Sequence, residues 1–230
     1  MSASHPQTRD IRRGDSLLSN RVKEVGRAVL APVVRLAIRL GITPNRVTVT
    51  GFILVVVAAG LVAAGYLLAG AVILVVGSLL DAVDGALARA TGGANAFGSF
   101  LDSTLDRAAE ATLYGGIVAY YLGATAHPVG PVLLALAALA GSFMVSYTRA
   151  KAEGIGLTAS VGLAPRTERL VLIVAGIALA GLGLGIGLIV AIGIIAVLSA
   201  ATTVQRIWHV WRQFDEQTLA AGGGDTTREN

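Results

Sequence analysis

The chain has 230 residues, of which 54% are hydrophobic and only 14% charged, with a mean hydropathy of +0.72 and a formal net charge of +4. A typical soluble domain carries roughly 25% charged residues, so these figures exclude an ordinary water-soluble fold and point to helices packed in lipid. The 29 glycines suit close approach of helices, while the lack of cysteine excludes disulfides, thiolate metal sites and thiol nucleophiles, leaving carboxylates, Arg/Lys, hydroxyls and three histidines for any chemistry.

In chain order, the first 46 residues hold nine of the 18 Lys/Arg. Within them, Arg21 to Leu40 mixes Lys23, Arg27, Arg35 and Arg39 with Val22, Val25, Val29, Leu30, Val33, Val34, Leu36 and Ile38, the composition of an amphipathic helix lying in the membrane interface. A plain basic flank that obeys topology rules is the other reading, and Pro32 favours a kink or a helix start. No cleavable signal peptide is expected, because the first long apolar run begins only at Val47.

Three stretches then lack any Asp, Glu, Lys or Arg: 47–80, 111–148 and 170–205, of 34, 38 and 36 residues. A spanning helix needs about 20 apolar residues. Each stretch is therefore too long for one span and suits two, divided at Gly65 to Gly70, at Gly123 to Pro131, and at the run Gly181, Gly183, Gly185, Gly187. The expectation is an all-α integral membrane protein with six transmembrane helices, paired as three hairpins, behind an N-terminal cytoplasmic amphipathic interfacial helix. All charged connections then share one side, and the Lys/Arg excess puts that side and both termini in the cytoplasm of a multi-pass plasma-membrane protein. The expected parts are a leader over 1–46, a six-helix catalytic domain over 47–212 and a flexible cytoplasmic tail over 213–230, disordered from Gly222.

Between Val47 and Thr148 the only charged residues are Asp81, Asp84, Arg89, Asp102, Asp106, Arg107 and Glu110. On helices, Asp81 and Asp84 are i, i+3 neighbours and Asp102 and Asp106 are i, i+4 neighbours, so each pair shares a face, and the hairpin between the two helices brings the pairs together. Four carboxylates converging at membrane depth repel one another unless a cation sits among them, and hard divalent ions with oxygen ligands, Mg²⁺, Mn²⁺ or Ca²⁺, are the natural occupants. Four ligands suggest two ions about 3.5 to 4 Å apart, the arrangement that clamps attacking and leaving oxygens in phosphoryl chemistry. The alternative is that the acids pair only with Arg89 and Arg107. Gly85 and Gly98 remove side chains where a ligand or a neighbouring backbone comes close, although membrane helices also use glycine for packing, and Thr91 to Asn95 reads as a turn.

The string L-L-D-A-V-D-G-A-L-A-R-A-T-G-G-A-N-A-F-G-S-F-L-D-S-T-L-D, residues 79–106, matches without a gap the signature D-x2-D-G-x2-A-R-x8-G-x3-D-x3-D. On it the chain resembles the CDP-alcohol phosphotransferases (CDP-alcohol phosphatidyltransferases). The resemblance implies six membrane helices, a cytoplasmic amphipathic N-terminal segment and a homodimer. It also implies a reaction in which an alcohol attacks the β-phosphoryl of a CDP-linked lipid such as CDP-diacylglycerol and CMP leaves. By position, Asp81, Asp84 and Asp102 look like metal ligands, and Asp106 looks like a ligand that also serves as general base. Gly85 and Arg89 resemble the positions that accommodate the nucleotide and its phosphates. The run T-P-N-R-V-T, Thr43 to Thr48, is similar to the family's element at the cytidine side and nominates Asn45 and Thr48, with a capped helix start as the other reading.

A second charged cluster bears on the acceptor. Arg149 with Lys151, Arg166 with Arg169 one helical turn on, and Arg206 form a candidate basic pocket for an anionic phosphate, while topology alone also calls for Lys/Arg on these loops. These strings are similar to those of the actinobacterial phosphatidylinositol phosphate synthases, which implies inositol 1-phosphate as acceptor. Thr167 stands where that pattern has proline, and the Arg/Lys order at Arg149 and Lys151 is permuted. Glycerol 3-phosphate, the acceptor of a phosphatidylglycerophosphate synthase, fits the same charges, and an archaeal-type inositol-lipid synthase is a lesser rival. From another class, a divalent cation transporter explains the acids and the six spans but not Arg89 or the basic cluster on the same face. His5, His127 and His209 have no metal-ligand spacing, and no nucleic-acid partner is expected.

Overall fold

A computed structural model of the chain describes residues 30–92, 95–125, 128–163 and 165–222, with side chains of the last helix through 216. Among the described residues all regular structure is helical: α1 over residues 30–39, α2 Pro44–Ala63, α3 Leu67–Thr91, α4 Ala96–Gly123, α5 Val129–Gly154, α6 Arg166–Gly181 and α7 Ile186–Gly222. The three hairpin breaks fall where glycine and proline put them. Residues 64–66 separate α2 from α3, residues 124–128 separate α4 from α5, and residues 182–185 separate α6 from α7. Gly65 and Gly183 take positive φ of 85° and 92°, which ends the preceding helix without the steric penalty that a side chain would bring.

Four of these helices, α2, α3, α5 and α7, are long and apolar enough to cross a membrane. Of the remaining three, α1 has only ten residues, and α4 and α6 fall short for different reasons. The first 15 residues of the 28-residue α4 carry Asp102, Asp106, Arg107 and Glu110, and α6 has only 16 residues, about 24 Å at 1.5 Å per residue, against a hydrocarbon core of about 30 Å. Large apolar side chains such as Val56, Val72, Leu133, Leu136, Val190 and Val197 point outward, a surface that water would not tolerate as a patch. The inward faces meet in one core around Val62, Leu74, Leu113, Ile117, Ile177, Leu188 and Ile192.

Within this bundle α2 packs against both α3 and α4, and α5 packs mainly against α7. Small residues permit it. Gly51 and Gly77 face each other across α2 and α3, where a Cβ on either would lie 3.4 or 3.3 Å from the other's carbonyl oxygen. At Gly116 the approach is tighter still: a Cβ there would sit 2.5 Å from the Ala59 carbonyl oxygen. Such contacts let dispersion and interhelical packing replace the hydrophobic drive that lipid cannot supply.

Residues 30–39 of the expected amphipathic segment are helical, and 21–29 lie outside the described residues. Val34 and Ala37 bury against Val47, Val83 and Leu87, so α1 docks on the ends of α2 and α3, while Val33, Leu36 and Ile38 remain exposed. Gly41 (φ 65°) closes α1, with the Ile42 N–H donating to the Ala37 carbonyl at 3.0 Å. At the other end, α7 does not stop at 212. It continues to Gly222, so residues 213–222, expected in the flexible tail, are helical, because Trp208, Arg212 and Gln213 still find partners there. Residues 223–230 lie outside the described residues.

Overpacking a close helix contact costs about 1–3 kcal/mol. Gly116→Ala should accordingly lower the melting temperature of the detergent-solubilised protein by several degrees. Gly115→Ala, one residue away with nothing within 4 Å of its added carbon, should leave the melting curve unchanged.

Candidate active site

The charged ends of α2, α3, α4 and α6 meet at one end of the bundle. Asp81 on α3 and Asp102 and Asp106 on α4 each offer a carboxylate oxygen, and the three oxygens lie within 4.8 Å of one another. The i, i+4 spacing of the α4 pair points both toward α3. Arg166, the first residue of α6, reaches in with both arms of its fork. Its Nη1 donates to Asp81 Oδ2 at 2.5 Å, and its Nη2 pairs with Asp106 Oδ1 at 2.6 Å.

Asp84 is one turn beyond Asp81 and stands apart from that group. It is 6% exposed, and its Oδ2 accepts a hydrogen bond from Thr48 Oγ1 at 2.7 Å. The same hydroxyl lies 3.1 Å from the Pro44 carbonyl of its own helix. Thr48 thus ties the first turn of α2 to α3, which follows from Pro44 starting the helix there.

Two recesses flank the carboxylates. The first, a cleft of about 230 Å³, is lined by Asn45, Thr48, Asp84, Gly85, Arg89, Asn95, Gly98 and Asp102, so it gathers all four residues nominated for the CDP-lipid. Asn95 caps α4, accepting from the Gly98 N–H at 2.7 Å. Gly98 brings that turn close to α2, since a Cβ there would lie 3.2 Å from Asn45 Oδ1. The second recess is lined at its mouth by Asp81, Asp106, Glu110, Arg166 and Arg169 and deeper by Phe52, Val55, Leu74, Leu113 and Ile173. Thr48 borders both.

The nominated phosphate cations do not all converge. Arg166 and Arg169 line the second recess, and Arg169, 4% exposed, donates from Nη2 to Glu110 Oε1 at 2.8 Å. Arg206 is buried but bonds backbone, from Nε to the Val161 carbonyl at 2.9 Å and from Nη1 to the Val145 carbonyl. Arg149 is exposed and paired with Glu153 at 2.8 Å, and Lys151 is exposed. Arg149 and Arg169 are nonetheless each near enough to Arg206 to act on it electrostatically. Sequence reasoning gave Glu110 no role. Its one available signal was its place four residues after Asp106, on the same helical stripe. His209 is half-buried after the apolar part of α7, and His5 and His127 lie outside the described residues.

The donor set suits a hard divalent cation: three clustered carboxylate oxygens, no nitrogen or sulfur ligand among them, and a mutual repulsion that positive charge relieves. Asp81→Asn and Asp106→Asn should each weaken Mn²⁺ binding to the purified protein by about tenfold or more, read by paramagnetic resonance titration. Asp215→Asn, exposed on α7, should not change it.

Comparison with known proteins gives a consistent result. The family model for CDP-alcohol phosphatidyltransferase matches residues 41–211. An archaetidylinositol phosphate synthase of Methanothermobacter thermautotrophicus is 37% identical over 195 residues, covering 84% of this chain and 94% of that protein. A phosphatidylinositol phosphate synthase of Streptomyces avermitilis is 34% identical over 229 residues, 94% of this chain and 91% of that one. Among solved structures, the Mycobacterium tuberculosis phosphatidylinositol phosphate synthase with CDP-DAG bound superimposes with a TM-score of 0.74 at 33% identity, covering 80% of this chain and 94% of that chain. The same enzyme in complex with manganese and citrate also gives a TM-score of 0.74.

Proposed function

The chain belongs to the CDP-alcohol phosphatidyltransferase family, and we propose that it transfers the phosphatidyl group of CDP-diacylglycerol to inositol 1-phosphate, releasing CMP and forming phosphatidylinositol phosphate. The observation that carries this reading is the carboxylate group standing between two recesses, one bearing Asn45, Thr48, Gly85 and Arg89 and the other Arg166 and Arg169.

In this reading the cytidine and diphosphate of the donor take the first recess, where Arg89 adds positive charge beside the diphosphate. The acceptor's phosphate takes the forked donors of Arg166 and Arg169, with Arg149, Lys151 and Arg206 adding to the local positive potential. The acceptor hydroxyl faces Asp106. As its oxygen bonds to the lipid-bearing phosphorus and the bond from that phosphorus to the CMP oxygen breaks, its proton passes to the Asp106 carboxylate. Arg166 is paired with Asp106 through Nη2, so a phosphate that recruits this guanidinium also releases a carboxylate oxygen for the proton. Asp81, Asp84, Asp102 and Asp106 would hold Mg²⁺ or Mn²⁺, two ions in the full arrangement. When bound, such ions neutralise diphosphate charge and acidify the hydroxyl.

The topology that goes with this is six spans. The acid-bearing N-terminal part of α4 and the charged first turn of α6 open onto the site, and the site and both termini sit at the cytoplasmic face of the plasma membrane. An aqueous acceptor and a lipid donor meet only at that boundary. The working unit is a homodimer, as the family resemblance implies.

The test is CMP release by purified protein with CDP-diacylglycerol and Mg²⁺, with inositol 1-phosphate, free inositol and glycerol 3-phosphate compared as acceptors. Turnover with inositol 1-phosphate is expected. Turnover with glycerol 3-phosphate alone would keep the mechanism and reassign the basic recess. Asp106→Asn should abolish turnover with CDP-lipid binding retained, and wild-type-like turnover would remove it as the base. Arg169→Gln should raise the acceptor's KM more than the donor's.

A further inference from the structure

The face of α4 that carries Asp102 and Asp106 does not end there. Glu110 continues it at the same four-residue interval, so three acids stand in line down one helix. The first two belong to the carboxylate group with Asp81, and the third lies outside it. Glu110 instead engages cations: its Oε1 accepts from Arg169 Nη2 at 2.8 Å, and its Oε2 lies 3.3 Å from Arg107 Nε. Arg107 in turn comes within 3.5 Å of Asp106 Oδ2. Side-chain exposures of 14% for Glu110 and 4% for Arg169 put the pair out of bulk water, where a charge-assisted bond fixes geometry as well as neutralising charge.

The two cations at the mouth of the second recess are therefore each held by an acid of α4. Asp106 holds Arg166, and Glu110 holds Arg169. Asp106 has other work to do, whereas Glu110 touches none of the three clustered oxygens and lines the recess beside the guanidinium it binds. A long arginine side chain that is not held loses rotamer freedom when a ligand binds it, which weakens binding. A fixed partner removes that freedom in advance.

We propose that Glu110 is a positioning residue for the acceptor: it sets the orientation of the Arg169 guanidinium so that the fork receives the acceptor's phosphate. This rests on the reading of Arg169 as a phosphate ligand. Glu110 does not bind substrate and does not move the proton; it acts through Arg169.

The experiment uses the full chain in lipid vesicles containing CDP-diacylglycerol, with inositol 1-phosphate as acceptor. Glu110→Gln keeps the shape and removes the charge. It should raise the acceptor's KM by about tenfold, the scale of one charged hydrogen bond, and leave kcat and the donor's KM within about twofold. Glu110→Asp, which keeps the charge on a shorter arm, should recover part of the loss. The double variant with Arg169→Gln should be no worse than Arg169→Gln alone, because both act on one element, and Mn²⁺ affinity should be unchanged.

An equal rise in both KM values, additive effects in the double variant, or altered Mn²⁺ affinity would each overturn the proposal. If Glu110→Gln does not fold, Glu110→Asp decides through the same KM split and the same cycle. If the wild-type enzyme turns over glycerol 3-phosphate and not inositol 1-phosphate, the acceptor assignment fails by itself, and the KM split measured with the working acceptor still decides the role of Glu110.

Discussion

Everything at the charged end of this bundle answers to one constraint, the mutual repulsion of Asp81, Asp102 and Asp106. With an oxygen of each within 4.8 Å of the others, an effective dielectric constant of about 20 gives at least about 3.5 kcal/mol of repulsion per ionised pair. Such a group persists only with positive charge among its members. Arg166, the first residue of α6 after Pro165, supplies part of it by bridging Asp81 and Asp106. Asp84 is quieted differently, by burial against a hydroxyl donor on α2.

Holding the acids together is a packing problem, and α2 solves it. Asp81 belongs to α3 and Asp102 and Asp106 to α4, yet both helices lean mainly on α2 rather than on each other. The Gly51–Gly77 and Gly116–Ala59 approaches bring the two backbones near the same central helix. Thr48 and Phe52 of α2 then form part of the floor between them. Small residues at depth and acids at the rim are therefore two halves of one arrangement. The first lets the helices come close enough for the second to matter.

Much of this was legible in the sequence, because it resides in local spacing. The charge-free stretches with their glycine breaks marked each helix pair, and the gapless string from Leu79 to Asp106 named the acids and the family. What was not legible depends on which helix faces which. Nothing in the spacing of Arg149, Lys151, Arg166, Arg169 and Arg206 says that only Arg166 and Arg169 line the recess, or that Arg206 bonds carbonyls instead. The partnership of Glu110 with Arg169 spans 59 residues and crosses from α4 to α6. Nor does composition reveal that α7 stays helical past its apolar part, where Trp208 stacks under Arg212 and Gln213 bonds a distant loop.

That last contact makes α7 a template for the chain segment between α5 and α6. Thr202 accepts from the Leu163 N–H, Arg206 donates to the Val161 carbonyl, and Gln213 bonds both backbone groups of Thr158. Positions 202, 206 and 213 recur on one side of a helix with 3.6 residues per turn, so the segment is held as a row of pegs holds a cord. What α7 hands to the arginines at the start of α6 is thus angular phase. A single residue inserted between 206 and 213 would turn the last peg by about 100°, lengthen the helix by only about 1.5 Å, and loosen the cord at one end while the membrane-crossing part stayed in place.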